Sequence, residues 1–117
     1  MGSAPTFNIE IESAPKSILE DVIEKLSDEY TIEFIDSELS EIVFDDFKLS
    51  FHYTNYHSEY LGNNGQGITI QYQPYYSESM DELLPKLNIM KELTYELSNM
   101  DILSDYEVKY YTAGSTI

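Results

Sequence analysis

His52 and His57 stand five residues apart with Asp45, Asp46 and Glu59 nearby in the chain, and imidazole nitrogens and carboxylate oxygens are the donors a divalent metal takes. On a strand, however, positions five apart point to opposite faces, so these two histidines could converge only across a bulge or turn. No His-x-x-x-His or Glu-x-x-His helical spacing accompanies them. The expectation is surface or hairpin histidines, with no metal and no cofactor. Nucleophilic catalysis lacks its parts, because the chain has no cysteine and no Gly-x-Ser-x-Gly elbow. Leu61–Gly67 is glycine-rich but lies between two strand-like runs and holds no lysine, which is wrong for a phosphate loop. With no arginine there is also no bidentate clamp for phosphate or carboxylate substrates. A non-enzymatic protein is therefore expected. A small hydrolase or ligand-binding plait using carboxylates with His52 or His57 remains an alternative.

Carboxylates are the most abundant reactive groups: 22 Asp and Glu face six lysines, for a formal charge of −16 over 117 residues. The excess is local. Between Glu20 and Asp46 eleven acids accompany one lysine. On the helix expected over Lys16–Tyr30, Glu20, Glu24 and Asp28 stand four residues apart, in a row with a rise of about 6 Å per step. Like charges so placed cost the helix a few tenths of a kcal/mol per pair. A duplex strand presents a phosphate about every 3.4 Å, so the row is a coarser version of the charge that phosphate-holding proteins recognise. Solubility alone needs a smaller net charge in a domain of this size.

Eleven of the sixteen aromatic residues are tyrosines. Tyr53, Tyr56 and Tyr60 precede the Gly-Asn segment, and Tyr72, Tyr75 and Tyr76 follow it. Tyrosine joins rigid apolar area to a polar tip and is enriched at protein interfaces; in a chain without tryptophan it also fills cores and covers sheet edges.

The elements that must position these residues follow from periodicity. Phe7–Glu12 alternates apolar and polar residues as a strand does. Ser13-Ala14-Pro15 offers a capping hydroxyl and a proline suited to a first helical turn, and Ile18, Leu19, Val22, Ile23, Leu26 and Tyr30 give Lys16–Tyr30 one apolar stripe. Thr31–Asp36 reads as a second strand, Ser37–Glu41 as a polar connection, and Ile42–Tyr60 as one bulged strand or two. Asn64-Gly65 is a favoured hairpin pair, after which Ile68–Gln73 forms the returning strand. Ser79 and Glu82 have the spacing of a capping box. The helix behind it carries Leu83, Leu87, Met90, Leu93 or Thr94, and Leu97 inward, and ends near Ser98-Asn99. Tyr106–Thr112 is the last strand.

The order β-α-β-β-β-α-β predicts one α+β domain over residues 5–113: a mostly antiparallel sheet of about five strands with two helices on one face, a variant of the ferredoxin-like split βαβ plait. Residues 1–4 read as an expression remnant or disordered lead-in and 114–117 as a frayed tail. Apolar content of 42% is too high for a disordered acidic tail, and no apolar run is long enough to span a bilayer or act as a signal. The charge disfavours direct contact with nucleic acid or anionic lipid. A cytoplasmic inhibitor or neutralising protein is thus expected, docking on a basic, nucleic-acid-handling protein such as a nuclease toxin or a defence effector. Two roles fit this, a toxin-immunity protein and a phage-type anti-defence mimic of nucleic acid. Glu20, Glu24, Asp28, Asp45 and Asp46 would supply charge, and Tyr53, Tyr56, Tyr60 and Tyr75 contact area. The principal alternative is an assembly module pairing copies through the tyrosine-rich hairpin.

Overall fold

The computed structural model describes residues 6–36, 39–55, 66–74 and 78–113. Its elements are β1 (Thr6–Glu12), α1 (Lys16–Leu26), β2 (Thr31–Phe34), β3 (Leu39–Val43), β4 (Lys48–Asn55), β5 (Gln66–Tyr72), α2 (Met80–Ser98), a 3-10 turn at Asp101–Leu103, and β6 (Val108–Ala113). The strands form one antiparallel sheet in the order β2-β3-β4-β5-β1-β6. Omitting the β3 and β4 pair leaves β2-β5-β1-β6, the strand order of the split plait. The fold is therefore α+β as expected, with an added hairpin and six strands rather than about five.

That hairpin settles how Ile42–Tyr60 divides. The N–H of Phe44 donates to the carbonyl of Phe47 (2.9 Å), closing a two-residue turn at Asp45-Asp46 between β3 and β4. β3 also begins earlier than periodicity predicts. Of the residues read above as connection, Ser40 and Glu41 are paired on both sides, with β2 and with β4, and Leu39 is paired with His52 of β4. Asp36 fastens the preceding turn by accepting from the N–H of Leu39 (3.0 Å). Polar residues suit a strand when only one of its faces is buried. Of the expected Gly-Asn turn, Gln66 and Gly67 belong to β5, and Leu61–Gly65 lies outside the described residues.

Helix α1 is shorter than its apolar stripe suggests. It ends at Leu26, where the Ser27 N–H bonds the Ile23 carbonyl and Tyr30 N–H bonds the Leu26 carbonyl, turning the chain into β2. Its N-cap is Pro15, without a side-chain cap bond, and Ser13 instead adopts a positive φ of 63° at the exit from β1. In α2 the capping box is formed as expected: Ser79 Oγ accepts from the Glu82 N–H (3.2 Å) and Glu82 Oε1 accepts from the Ser79 N–H (3.2 Å). Pro85 lies inside α2, in its second turn, where its missing N–H removes one intrahelical hydrogen bond.

Both helices pack on one sheet face, α1 chiefly over β4 and β5 and α2 over β1 and β6. Ile9, Ile11, Ile42, Leu49, Phe51, Ile68 and Ile70 meet Leu19, Val22, Leu26, Met90, Leu93 and Leu97 in a single core. Beyond the reach of α1, the edge strand β2 leaves Phe34 72% exposed, although it shares the core-side face with Ile32. Among the described residues no helix is long and apolar enough to cross a membrane.

Candidate functional site

The Asp45-Asp46 turn sets two of the expected site residues side by side between β3 and β4. Its two carboxylates are exposed, and the aromatic residues on either side fold beneath them. The rings of Phe44 and Phe47 stack at 4.5 Å between centroids and 6° between planes. Phe44 also meets the edge of Tyr30 (6.0 Å), and Phe47 meets Tyr72 (5.6 Å), extending a line of four rings from the end of α1 to β5. Such offset and edge contacts each add about 0.5–1.5 kcal/mol beyond area burial.

A buried ion pair supports this line from behind. The Lys86 ammonium of α2 lies 5.4 Å from the Phe47 ring and 5.3 Å from the Tyr72 ring, and pairs with Glu78, whose side chain is 4% exposed. Lys86 also donates to Tyr72 Oη (3.0 Å), and the Tyr72 hydroxyl donates to Glu78 Oε2 (2.8 Å). The hydrogen bond to Glu78 holds the Lys86 ammonium well above the usual lysine range, so it is a permanent cation. The Tyr72 phenol is raised chiefly by burial.

Two open clefts flank the turn. One, of about 560 Å³, includes Glu41, Asp45, Asp46, Lys48 and Gln71; the other, of about 450 Å³, includes Glu29, Tyr30, Asp45, Asp46 and Ile89. Deeper in the second direction, Tyr30 donates to Glu96 Oε1 (3.2 Å), and burial with the neighbouring Glu96 pushes the phenol up to about 12. Glu96 is itself raised, by burial and then by Glu29.

The remaining expected residues are dispersed. Glu20 and Glu24 lie one turn apart on the exposed side of α1, but Asp28 falls beyond the last helical residue, so the anticipated row has two helical rungs and a third in the turn. Tyr53 is half-buried against the core on the same face of β4 as Leu49 and Phe51. Tyr56, Tyr60, Tyr75 and His57 lie outside the described residues. His52 sits on the opposite face of β4 between Leu39 and Thr69, and burial lowers its pKa, which keeps the imidazole neutral. Among the described residues no group of three or more His, Asp or Glu could hold a metal ion.

The distribution of cations sharpens the electrostatics. Among the described residues, three of the six lysines are held by five carboxylates: Lys48 by Glu41 (3.4 Å) and Glu33 (3.9 Å), Lys86 by Glu78, and Lys109 by Glu12 (3.1 Å) and Glu107 (3.3 Å). Among the described residues none of Glu20, Glu24, Asp28, Asp45 and Asp46 belongs to an ion pair. Sequence reasoning missed Phe44, Phe47, Glu78 and Lys86 as the support of the turn. The Phe-Asp-Asp-Phe spacing was the available signal for the first two.

No known family's sequence model matches the chain, and no curated protein matches it. Among solved structures, the NMR structure of PA4090 from Pseudomonas aeruginosa aligns over 92% of this chain and 95% of that one, at 15% identity and a TM-score of 0.43.

Proposed function

We propose that this chain is a non-enzymatic binding protein whose acidic surface docks on a basic, nucleic-acid-handling protein and blocks its access to nucleic acid. The observation that carries the reading is the sorting of charge. Among the described residues, half of the lysines are held within internal ion pairs, while Glu20, Glu24, Asp28, Asp45 and Asp46 face solvent unpaired, two of them on a turn braced by stacked rings. Unpaired surface acids speed encounter with a basic partner and set its orientation, and a braced turn loses little entropy on docking. An immunity protein against a nuclease toxin and an anti-defence mimic of nucleic acid both meet this description.

The test takes a basic nuclease encoded beside this chain, or one co-purified with it at low salt, and measures both association and cleavage. Binding should weaken steeply as ionic strength rises, cleavage should fall with added chain, and Asp45→Lys with Asp46→Lys should relieve that inhibition. Association indifferent to salt, or cleavage unchanged at saturation, overturns the reading. Self-assembly is the second reading, supported by the exposed apolar side chains Phe34 (72%) and Ile35 (53%) at edge strand β2. A molecular mass that stays monomeric across a wide concentration range would sink it.

A further inference from the structure

On the sheet face away from the helices, Glu10 of β1 has Thr69 of β5 and Lys109 of β6 as its register neighbours. The residue is 2% exposed, and its Oε2 has no hydrogen-bond partner. The lysine opposite is engaged elsewhere, with Glu12 and Glu107. Asn8, two residues earlier on the same face and just as buried, shows the usual solution, since its Oδ1 accepts from Gln71 Nε2 at 2.8 Å. A buried acceptor without a donor is unfavourable, so Glu10 stands out as a group held ready for one.

Glu10 borders a cavity of about 500 Å³ whose lining includes Lys109, Tyr110 and Tyr111 of edge strand β6. That volume is in the range of small-molecule sites. The surrounding charge selects the ligand's sign: Glu10, Glu12 and Glu107 outnumber Lys109 three to one. Backbone geometry adds an acceptor. The Glu12 N–H bonds the Glu107 carbonyl, and the antiparallel alternation that follows turns the N–H and C=O of Tyr110 away from β1, toward the open edge. The ring of Tyr111, on the same face of β6 as Lys109, is also a favourable neighbour for an organic cation.

We propose that this cavity binds a small organic cation through a primary ammonium group, which donates to Glu10 Oε2 and lies against the β6 wall. The site is separate from the Asp45-Asp46 turn and does not depend on the proposed partner. A divalent metal fits less well, because Glu10 Oε2 is a single free carboxylate oxygen where hard cations gather six or more oxygens.

The experiment titrates the isotope-labelled full chain at near-physiological salt with 1,4-diaminobutane, with its uncharged counterpart 1,4-butanediol, and with magnesium chloride, reading backbone amide shifts. Saturable shifts at Lys109, Tyr110 and Tyr111 are expected with the diamine and not with the diol. Glu10→Gln should weaken diamine binding at least about tenfold, the size of one charge-assisted hydrogen bond, while Asp21→Asn, which removes an exposed acid of α1, should leave it unchanged. Lys109→Ala, which deletes the one cation of the wall, should tighten it. The proposal is overturned by equal binding of diamine and diol, by saturable magnesium binding at these amides in place of the diamine, by an unaltered Glu10→Gln affinity, by weaker binding in Lys109→Ala, or by no saturable shift at millimolar diamine.

Discussion

Replacing Lys86 by methionine keeps most of the buried stem and deletes the charge that Glu78 faces. With the two side chains 13% and 4% exposed, the variant strands a carboxylate that water scarcely reaches. Breaking a buried pair from one side costs about 3–5 kcal/mol. Two features pull in opposite directions within that range. The Tyr72 hydroxyl still donates to Glu78, which softens the loss, whereas the contacts of the ammonium with the Phe47 and Tyr72 rings disappear, each worth about 0.5–2 kcal/mol. A net loss of about 4 kcal/mol is expected, a large share of the 5–15 kcal/mol typical of a domain, with a Tm lower by on the order of 10–20 °C. The assay is urea and thermal unfolding at neutral pH of the parent, Lys86→Met, Glu78→Gln and the double variant. Because the double variant leaves no unpaired charge, its loss should fall short of the summed single losses by about 2 kcal/mol. Additivity within about 0.5 kcal/mol would refute the claim that the pair acts as one unit. Lys86 is raised above its unfolded value, so its contribution is complete below the unfolded lysine pKa and is lost only as pH climbs through the raised folded one. The coupling should thus be unchanged across the neutral range.

Glu10→Gln should stabilise the protein at neutral pH by about 1 kcal/mol, since it removes an unpartnered buried charge. Burial raises the Glu10 carboxyl, so the parent is relatively most stable below the unfolded carboxylate pKa and loses that advantage as pH rises through the folded value; the gain should vanish in acid, and an equal gain at both pH values contradicts the argument. The Tyr30 phenol, held at about 12, should ionise well after an ordinary tyrosine. Stability should therefore fall between the unfolded and folded phenol pKa values, and the phenolate absorbance difference between the parent and Tyr30→Phe should show a midpoint near 12, not near 10. Ser79→Ala opens the capping box and should cost about 1 kcal/mol in urea unfolding, with a loss below about 0.3 kcal/mol counting against it.

Local periodicity made the strand β1, the stripe of α1, the capping box of α2 and the α+β class legible, because each is a relation among residues a few positions apart. The net charge and its concentration between Glu20 and Asp46 were equally plain, since they require only counting. The added hairpin was half legible: Leu49, Phe51 and Tyr53 alternate as a strand, but Leu39–Glu41 looked like a connection because its strand character comes from pairing with β2 and β4 rather than from its own composition. The length of α1 misled for a related reason. Tyr30 continues the apolar stripe, yet it reaches the core edge from the turn after the helix, where Glu96 of α2 accepts its hydroxyl.

The sequence by itself thus determined how much charge this protein carries and which face of most of its elements is apolar. Only the tertiary structure decided which charges stay unpaired. Lys86 meets Glu78 across the approach to α2, Lys109 turns to Glu12 and Glu107, and Glu10 is left with a free oxygen in the middle of the sheet. Pairing and burial depend on strands distant in the chain lying side by side, β1 between β5 and β6 above all. A carboxylate's neighbours across a sheet lie dozens of residues away in the chain, so nothing in its local sequence distinguishes Glu10, buried and unpartnered, from the exposed Glu20.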